Sequence, residues 1–524
     1  MEPLKSMKDV AQVVALCERS SSFQLETKKT IFTEFEHVFS SGLFSNSAPL
    51  LLDSCLVLET LETDAKGELI KWYSDLQLTD YRNLFKKNPE LAGLADVSRR
   101  YSWLKRFLKT FDEQHAILFP EHWKVDDAVT LQFCLETRKD FSDIMTKAEH
   151  DNTFDTVAML QALHTSSDFE GKLDLRFNKS HEASKYSKII TSSFDSFLWH
   201  YIDMEDHNLA EKFEPLKQSL GEIEEGIYSS SVDLFLFYRQ TFGNCAKLSI
   251  KKPFFDLCKM YQKWLNKYKE SLCLKLPKDE RRVLTEDELV KLCAIINTSD
   301  YCTSTTGQLE EKLIETIDPD YKTLVSFSSE TEGFTTTTAT ALLSLVKSVE
   351  NYFGNALNIM SKKNWSALSS VGDQSEHVTQ IAQVLSQYVP IIRRSLANQK
   401  HFRSFCDKFV ETFLNTIQTT ILTRCRPMSE VGAEQMLLDT HSINNILVAM
   451  TMLGMEEKAP PPASFTKILG RGITRIDNLL KVTLRPIDPP EAIVETYFLL
   501  FTDPNVNELQ KILELKVYSV NFRD

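Results

Sequence analysis

The sequence is poor in glycine and proline. Together they occupy 32 of its 524 positions, about 6%, whereas an average soluble protein carries roughly 12%. Sandwiches, barrels and doubly wound α/β folds place these residues at many tight turns, so the deficit disfavours those folds. Apolar positions instead recur at three- and four-residue spacing, which is typical of amphipathic helices. We therefore predict an all-α protein that is elongated.

Paired cysteine motifs and long apolar runs are also missing. None of the ten cysteines is spaced as CxxC, and nearly all lie within apolar helical patterns, as is typical of reduced thiols in the cytosol. The most apolar stretch, 446–455, is about half as long as a membrane span, and the first ten residues do not resemble a signal peptide. The net charge of −13 disfavours nucleic-acid binding. These features predict a cytosolic protein without a membrane anchor.

Motifs for catalysis are similarly scarce. The sequence contains no Walker A, GxSxG or HExxH pattern, and LGRGIT (469–474) lacks the third glycine and the βαβ context of a dinucleotide-binding loop. His207 and Glu211 share a helix face but would supply only two metal ligands, so a solvated acidic face is the favoured interpretation. We expect no enzymatic activity, no catalytic residues, no cofactor and no metal, although motif absence alone does not exclude catalysis.

Polar and Pro-rich stretches divide the helical pattern into three regions. We predict an N-terminal bundle at 1–177, a middle helical region at 188–370 and a C-terminal bundle at 371–524. The polar stretch 178–188 is the first candidate linker between them.

Local signals predict where individual helices begin and end. Thr285 and Glu288 form a capping-box pattern at a helix start. Pro390 is predicted to split the stretch 376–424, and residues 45–49 are predicted to interrupt the N-terminal helices. The Ser/Thr-rich residues 326–338 are predicted to form a solvated hinge and a helix start.

One segment of this acidic chain is strongly basic. Residues 243–282 contain eleven Lys or Arg and four Asp or Glu. Within them, Lys259, Lys263 and Lys267 recur at four-residue spacing opposite the apolar face of a predicted helix, and we call these three residues the lysine stripe. The stripe is a candidate contact surface for anionic lipid or an acidic partner helix. The alternative is a plain solvated helix face, which also applies to a second basic group formed by Arg393, Arg394, Lys400 and Arg403.

Several long blocks of sequence resemble one known family. The most distinctive are MSKKNWSALSSVGDQSEHVT (360–379) and VGAEQMLLDTHS (431–442). Other blocks follow the same order along the chain: RRYSWLKRFL (99–108), FEGKLDLRF (169–177), VPIIRRSLANQKHF (389–402) and ASFTKILGRGITRIDNLLKV (463–482). Together they resemble the vacuolar protein sorting-associated protein 53 family, whose members are subunits of the Golgi-associated retrograde protein tethering complex. The resemblance spans about residues 20–518.

This resemblance implies both an architecture and a role. Family members resemble the rod-like tethers built of consecutive helical bundles that also form the exocyst, and they have no known enzymatic activity or cofactor. They capture endosome-derived vesicles at the trans-Golgi network and promote SNARE-dependent fusion, and a sister complex acts in endosomal recycling. The implied location is the cytosol and the cytosolic face of trans-Golgi and endosomal membranes.

The resemblance also implies a set of partners. These are the sorting proteins numbered 51, 52 and 54, or syndetin in place of the last, with SNAREs and small GTPases as further candidates and peripheral attachment to membranes. The alternative is a helical scaffold subunit of another, exocyst-like tethering complex. Family members begin with a long coiled coil that helps bind the other subunits, and this sequence starts near the end of that region. We therefore expect the chain to fold by itself but to bind its partners weakly.

The block 431–442 leaves two interpretations open. Glu434, Asp439 and His441 could face a partner or could form an internal polar network, while Met436, Leu437 and Leu438 are most simply core residues. We favour the structural interpretation, because a buried polar cluster that fixes how bundles join also requires particular residues.

Overall fold

A computed structural model describes residues 11–61, 64–86, 93–177, 185–217, 219–455, 460–486 and 490–516. Within these residues the regular secondary structure is helical apart from one two-stranded hairpin and an isolated bridge, so the predicted all-α class is confirmed. The chain forms two compact units, Met1–Glu205 and Asp206–Asp524. The finer division into three regions at 1–177, 188–370 and 371–524 stays a prediction.

The first unit is a set of helices around an aromatic core. Its helices are α1 (Ala11–Ser41), α2 (Phe44–Thr60), α3 (Ala65–Phe85), α4 (Val97–Thr110), α5 (Val125–His150), α6 (Thr156–Phe177) and the beginning of α7 (Trp199–Phe213). In the core, the Tyr73 ring packs against Phe119 at 5.0 Å, and Phe119 stacks on Phe35 at 5.6 Å. The Tyr73 hydroxyl lies 2.8 Å from Nδ1 of the buried His115, which gives both polar groups a partner.

Two buried charged residues connect elements of the first unit through hydrogen bonds. Both belong to blocks that carry the family resemblance. Arg100 on α4 donates to the Tyr81 hydroxyl at 2.9 Å and to the Asp140 carboxylate at 3.0 Å. Glu170 on α6 accepts the backbone N–H of Lys188 at 3.1 Å and the backbone N–H and hydroxyl of Thr191, each at 2.9 Å. The end of the predicted linker 178–188 is therefore bound to α6, while 178–184 lie outside the described residues.

The second unit begins with the end of α7 and a short hairpin. The antiparallel hairpin pairs β1 (Ile223–Glu224) with β2 (Ile227–Tyr228). Eleven further helices follow among the described residues: α8 (Ser229–Leu248), α9 (Lys252–Leu274), α10 (Glu286–Thr316), α11 (Ser328–Asn351), α12 (Gly354–Lys362), α13 (Glu376–Ser395), α14 (Gln399–Arg424), α15 (Glu430–Met450), α16 (Ala463–Thr483), α17 (Pro490–Leu500) and α18 (Val506–Leu515). The predicted capping box is confirmed, because Thr285 Oγ accepts the Glu288 N–H and the Glu288 carboxylate accepts the Thr285 N–H.

Asn297, buried in the middle of α10, joins three parts of this unit. Its side-chain amide donates to the carbonyl oxygens of Gly226 at 2.9 Å and Ser395 at 2.7 Å, and its side-chain oxygen accepts the N–H of Ala397 at 3.0 Å. One side chain thus satisfies backbone groups in the hairpin turn and in the connection between α13 and α14.

The predicted split at Pro390 is wrong. Helix α13 continues through Pro390 and ends five residues later at Ser395, beside Asn297. Proline removes one backbone donor, but Val389, Ile391 and Ile392 are all buried, and their packing holds the helical path. The predicted break at 45–49 is wrong in the same way, because Pro49 lies inside α2.

The helix start predicted within 326–338 is confirmed, because α11 begins at Ser328, but the predicted solvated hinge is wrong beyond its first residues. The hydroxyl groups of Thr335, Thr336, Thr337 and Thr338 each donate to the carbonyl four residues earlier, at 2.9–3.1 Å. These bonds remove the need for water at each hydroxyl, and buried Phe334 anchors the turn. The threonine-rich segment, which the sequence predicted to be a loop, therefore forms a helix in which these hydroxyl groups are hydrogen-bonded.

Gly432, in the first turn of α15, permits a close backbone contact. A Cβ atom there would lie 2.1 Å from the carbonyl oxygen of Trp365, closer than any real contact. The same oxygen accepts the Ser429 N–H at 3.3 Å and the Ser429 hydroxyl at 3.0 Å. The start of α15 is therefore docked on the backbone of residue 365 by a contact that only glycine allows.

We predict that Gly432→Ala lowers the free energy of unfolding by about 2–4 kcal/mol, because the methyl group forces α15 away from Trp365. The matched control is Gly470→Ala in α16, where nothing lies within 4 Å of the new Cβ. In the control variant the free energy of unfolding should rise by about 0.5–1 kcal/mol, because alanine has a higher helix propensity than glycine. Denaturant unfolding of both variants measures the difference, and equal effects would contradict the assigned contact.

Candidate contact surface

The structure places all three residues of the lysine stripe on the exposed face of α9. Buried apolar residues of the same helix, including Leu257, Tyr261 and Leu265, form the opposite face. The rise of an α-helix separates the Cα atoms of Lys259 and Lys267 by about 12 Å. The stripe is therefore available to solvent, and its role as a contact surface stays a prediction.

The middle lysine of the stripe already has a partner inside the unit. The Lys263 ammonium lies 2.5 Å from one carboxylate oxygen of Asp206 in α7, and the Trp264 indole N–H donates to the other at 2.6 Å. Partial burial acts to raise the pKa of Asp206, but the hydrogen bonds from Lys263 and Trp264 outweigh it and hold this pKa below its usual value. Lys263 consequently helps join α7 to α9.

The outer two lysines lie against aromatic rings. The Lys259 ammonium is 4.5 Å from the centre of the Phe255 ring, and that of Lys267 is 4.0 Å from Trp264. Such contacts are weak at exposed sites and leave both charges open to solvent. Glu270 lies one turn after Lys267 on the same helical face, which reduces the attraction of the stripe for an anionic surface.

The second basic group is not one surface. Arg393 is partly buried, donates to the Thr451 carbonyl at 2.6 Å, and stacks its guanidinium on Phe402 at 4.0 Å. It lines a small cavity of about 80 Å³ that Arg403 also borders. Arg394, Lys400 and Arg403 are exposed, so Arg393 is the member of the group that is partly withdrawn from a partner.

The two blocks most distinctive of the family come together in the second unit. Gln435 on α15 accepts the Gly372 N–H at 2.7 Å and donates to the Asp373 carbonyl at 2.9 Å. One turn later, Asp439 accepts the Ser375 N–H at 2.9 Å. Gln435 and Asp439 are both buried, and we call their arrangement around residues 371–375 the loop clamp.

His377 lies at the deep end of the loop clamp. Its Nε2 is 3.8 Å from Asp439 Oδ2, and neither of its ring nitrogens has a hydrogen-bond partner among the described residues. Burial lowers the pKa of His377 to about 4; the Asp439 carboxylate acts to raise this pKa, and the Lys363 ammonium lowers it further. Lys363 itself donates to the Ser375 hydroxyl at 2.6 Å. His377 is therefore neutral in the folded protein near pH 7.

The structural interpretation of the block 431–442 is confirmed for Asp439, while Glu434 and His441 are exposed. Sequence reasoning missed the contact of Gln435 with residues 371–375 and the contact of Gly432 with the Trp365 backbone. Two polar residues four positions apart on an otherwise apolar helix face were the available signal.

The glycine-containing sequence 469–474 lies within a helix and does not form a phosphate-binding loop. Gly470 and Gly472 lie inside α16, and Gly472 packs closely on Leu414 of α14. Within the described ranges, no three His, Cys, Asp or Glu side chains are arranged to hold a metal ion. No helix in the described part of the chain is long and apolar enough to cross a membrane.

Family models match both ends of the chain. The model described as Vps53, N-terminal matches residues 1–220, and the model described as Vacuolar protein sorting-associated protein 53 C-terminus matches residues 434–518. The crystal structure of M-Sec superimposes with a TM-score of 0.50 at 15% identity, over 97% of this chain and 85% of that chain. The similarity to M-Sec indicates a shared helical fold.

Curated relatives extend the match over almost the whole chain. Vacuolar protein sorting-associated protein 53 A of Arabidopsis thaliana is 30% identical, over 98% of this chain and 70% of that protein. The Caenorhabditis elegans homolog of the same name is also 30% identical, over 94% of this chain and 65% of the relative. The Saccharomyces cerevisiae protein is 24% identical, over 94% and 66% respectively. The chain thus spans about two thirds of the length of these relatives.

We predict different costs for charge reversal within the lysine stripe. Lys263→Glu should lower the free energy of unfolding by up to about 1 kcal/mol, because it places a carboxylate beside Asp206. The double variant Lys259→Glu/Lys267→Glu should change it by less than about 0.5 kcal/mol. Thermal melts measure both, and sedimentation with phosphatidylserine vesicles tests the surface itself. Loss of vesicle binding in the stable double variant supports a contact surface, and unchanged binding supports a solvated face.

We also predict that His377 makes stability depend on pH. Between about pH 7 and about pH 5 the unfolded chain gains a proton at this histidine and the folded chain does not, so stability falls as the pH is lowered. The full effect is at most roughly 3 kcal/mol. His377→Asn should flatten the pH dependence measured by denaturant unfolding, whereas His441→Asn, at an exposed position, should not. Identical slopes in the two variants would contradict this assignment.

Proposed function

The chain belongs to the vacuolar protein sorting-associated protein 53 family, and on this premise we propose that it is a non-enzymatic subunit of a multisubunit vesicle-tethering complex. The proposed complex acts in retrograde transport from endosomes to the trans-Golgi network and in endosomal recycling, and it promotes SNARE-dependent fusion. The observation that carries the proposal is the family match over 98% of the chain.

The proposed partners are the sorting proteins numbered 51, 52 and 54, or syndetin in place of the last. SNAREs and small GTPases are proposed as further partners at the membrane. The proposed location is the cytosol and the cytosolic face of trans-Golgi and endosomal membranes, with attachment through partners.

The first unit offers a surface suited to assembly with other helical subunits. The buried residues of α1 are Ile31, Phe35 and Val38, all in its C-terminal half. Its first half exposes four large apolar side chains: Val14, Leu16, Phe23 and Leu25. A helical segment whose large apolar side chains are exposed in the described part of the chain is suited to bind another helix.

The chemistry of the polar residues supports a binding role over catalysis. In the matched blocks, the buried polar side chains Arg100, Glu170, Gln435 and Asp439 are engaged in bonds within the chain. Burial also raises the pKa of eight buried thiols, which disfavours the reactive thiolate: Cys55, Cys134, Cys245, Cys258, Cys293, Cys302, Cys406 and Cys425.

Affinity purification of the tagged full chain from cells tests the proposal. We expect recovery of the retrograde-tether subunits, in the low yield that weak binding gives, and their identification by mass spectrometry. Recovery of exocyst subunits in their place would favour the alternative scaffold role and contradict the proposal. The variant Leu16→Ser/Phe23→Ser, which removes two exposed apolar residues from one face of α1, should reduce recovery through α1 at least roughly tenfold, because apolar anchors dominate helix–helix interfaces. The matched control Leu324→Ser/Leu343→Ser removes two exposed leucines of the second unit and should leave recovery unchanged.

A further inference from the structure

The end of the second unit carries an exposed apolar surface that no contact within the described chain explains. Val494, Phe498 and Leu499 lie on the outer side of α17, and Val506 begins α18. The side chains of Phe498, Leu499 and Val506 are 60%, 85% and 81% exposed. Single exposed apolar residues are common, but four within thirteen positions form a patch of the kind that marks an interaction site. We call these four residues the α17 surface.

Helix α17 is apolar on two sides, and its own unit uses one of them. Ile493 and Tyr497 are buried and face the core, and Phe501 stacks on Tyr497 at 4.6 Å. The outer side is also apolar, because Val494, Phe498 and Leu499 occupy positions i, i+4 and i+5. A helix that is apolar on both sides is normally covered on both sides.

Hydrogen bonds between α17 and the start of α18 hold the α17 surface in place. The Tyr497 hydroxyl accepts the Asn505 N–H at 2.9 Å and donates to the Asn505 carbonyl at 3.1 Å. These bonds hold the first residues of α18 beside the turn of α17 that carries Phe498. A surface ordered in advance loses little conformational entropy when a partner binds.

The charged residues of the segment that carries this surface have one sign. Between residues 490 and 510 the chain contains Glu491, Glu495, Asp503 and Glu508 and no Lys or Arg. Glu508 is paired with Arg475 of α16 at 2.9 Å, whereas Glu491, Glu495 and Asp503 are exposed. The nearest cation along α18 is Lys511, one turn beyond Asn507. The apolar patch is therefore bordered by carboxylates.

We propose that the α17 surface docks a positively charged amphipathic helix of a partner protein. Apolar side chains of that helix would cover Phe498, Leu499 and Val506, and its lysines or arginines would meet Glu491, Glu495 and Asp503. The carboxylates disfavour an anionic membrane, because like charges repel. They also disfavour a second copy bound through the same surface, since a two-fold interface would bring the same carboxylates together. This inference stands independently of the proposed tether.

A synthetic peptide of defined chemistry tests the inference. The probe is a fluorescent amphipathic helix of leucines and lysines arranged in heptads, and its binding to the full chain is measured by fluorescence anisotropy. Two control peptides have the same length: one has the same residues in an order that spreads leucine around the helix, and the other has glutamate in place of lysine. We expect the heptad peptide to bind, both controls to bind at least roughly tenfold more weakly, and salt to weaken the interaction.

Variants of the chain locate the binding site. Phe498→Ser/Leu499→Ser should weaken peptide binding at least roughly tenfold without changing the melting temperature, because both side chains are exposed. The matched control is Leu324→Ser/Leu343→Ser, which removes leucines that are 60% and 51% exposed elsewhere in the same unit and should bind normally. Glu491→Lys/Glu495→Lys keeps the apolar residues and should abolish binding through charge repulsion.

Four results would overturn the proposal. The first is no binding of the heptad peptide to the unaltered chain, and the second is equal binding by the Phe498→Ser/Leu499→Ser variant. The third is sedimentation with phosphatidylserine vesicles that this variant abolishes, which would assign the surface to a membrane. The fourth is a dimer of the unaltered chain that becomes monomeric in this variant, which would assign the surface to a second copy.

Discussion

Buried backbone groups between helices must find partners, and this constraint organises the protein. Helices satisfy their own amide groups, but the connections between them do not. Here polar side chains on helices supply the missing bonds: Glu170 binds the segment after α6, Asn297 the junction of α13 and α14, and Gln435 with Asp439 the loop 371–375. Because each bond has a specific geometry, these side chains also determine where neighbouring helices begin and end.

The same constraint explains which features could be predicted from sequence. Periodic apolar positions gave the helices, and the cap at Thr285 depends on residues only three apart. The continuation through Pro390 depends on packing across the unit, and the end of that helix depends on Asn297, almost a hundred residues earlier. Likewise Lys263 could be placed on an exposed face from spacing alone, but its pairing with Asp206 depends on how α7 lies beside α9. Local signals were therefore sufficient to predict most helices, whereas long-range contacts determine where several of them end.

The blocks that most clearly indicate the family are mainly structural. Trp365, His377, Gly432 and Asp439 all lie where the blocks 360–379 and 431–442 meet, and their contacts are internal. The two apolar surfaces that we propose for partners lie elsewhere, on the first half of α1 and on α17. The residues that identify the fold and the residues suited to recognition are thus different sets, so the specificity of partner binding can change while the frame is kept.

The loop clamp has an evolutionary consequence. Gln435 and Asp439 bind the backbone of Gly372, Asp373 and Ser375, and these hydrogen bonds involve none of the loop's side chains. Selection on this loop should therefore act on its length and backbone path, since an inserted or deleted residue shifts every bonded group. The clamp itself does not specify the side chains of the loop, although Ser375 is constrained further because its hydroxyl accepts a hydrogen bond from Lys363. Divergent descendants of this chain should therefore agree first in the spacing of the loop and in the two helix residues that hold it.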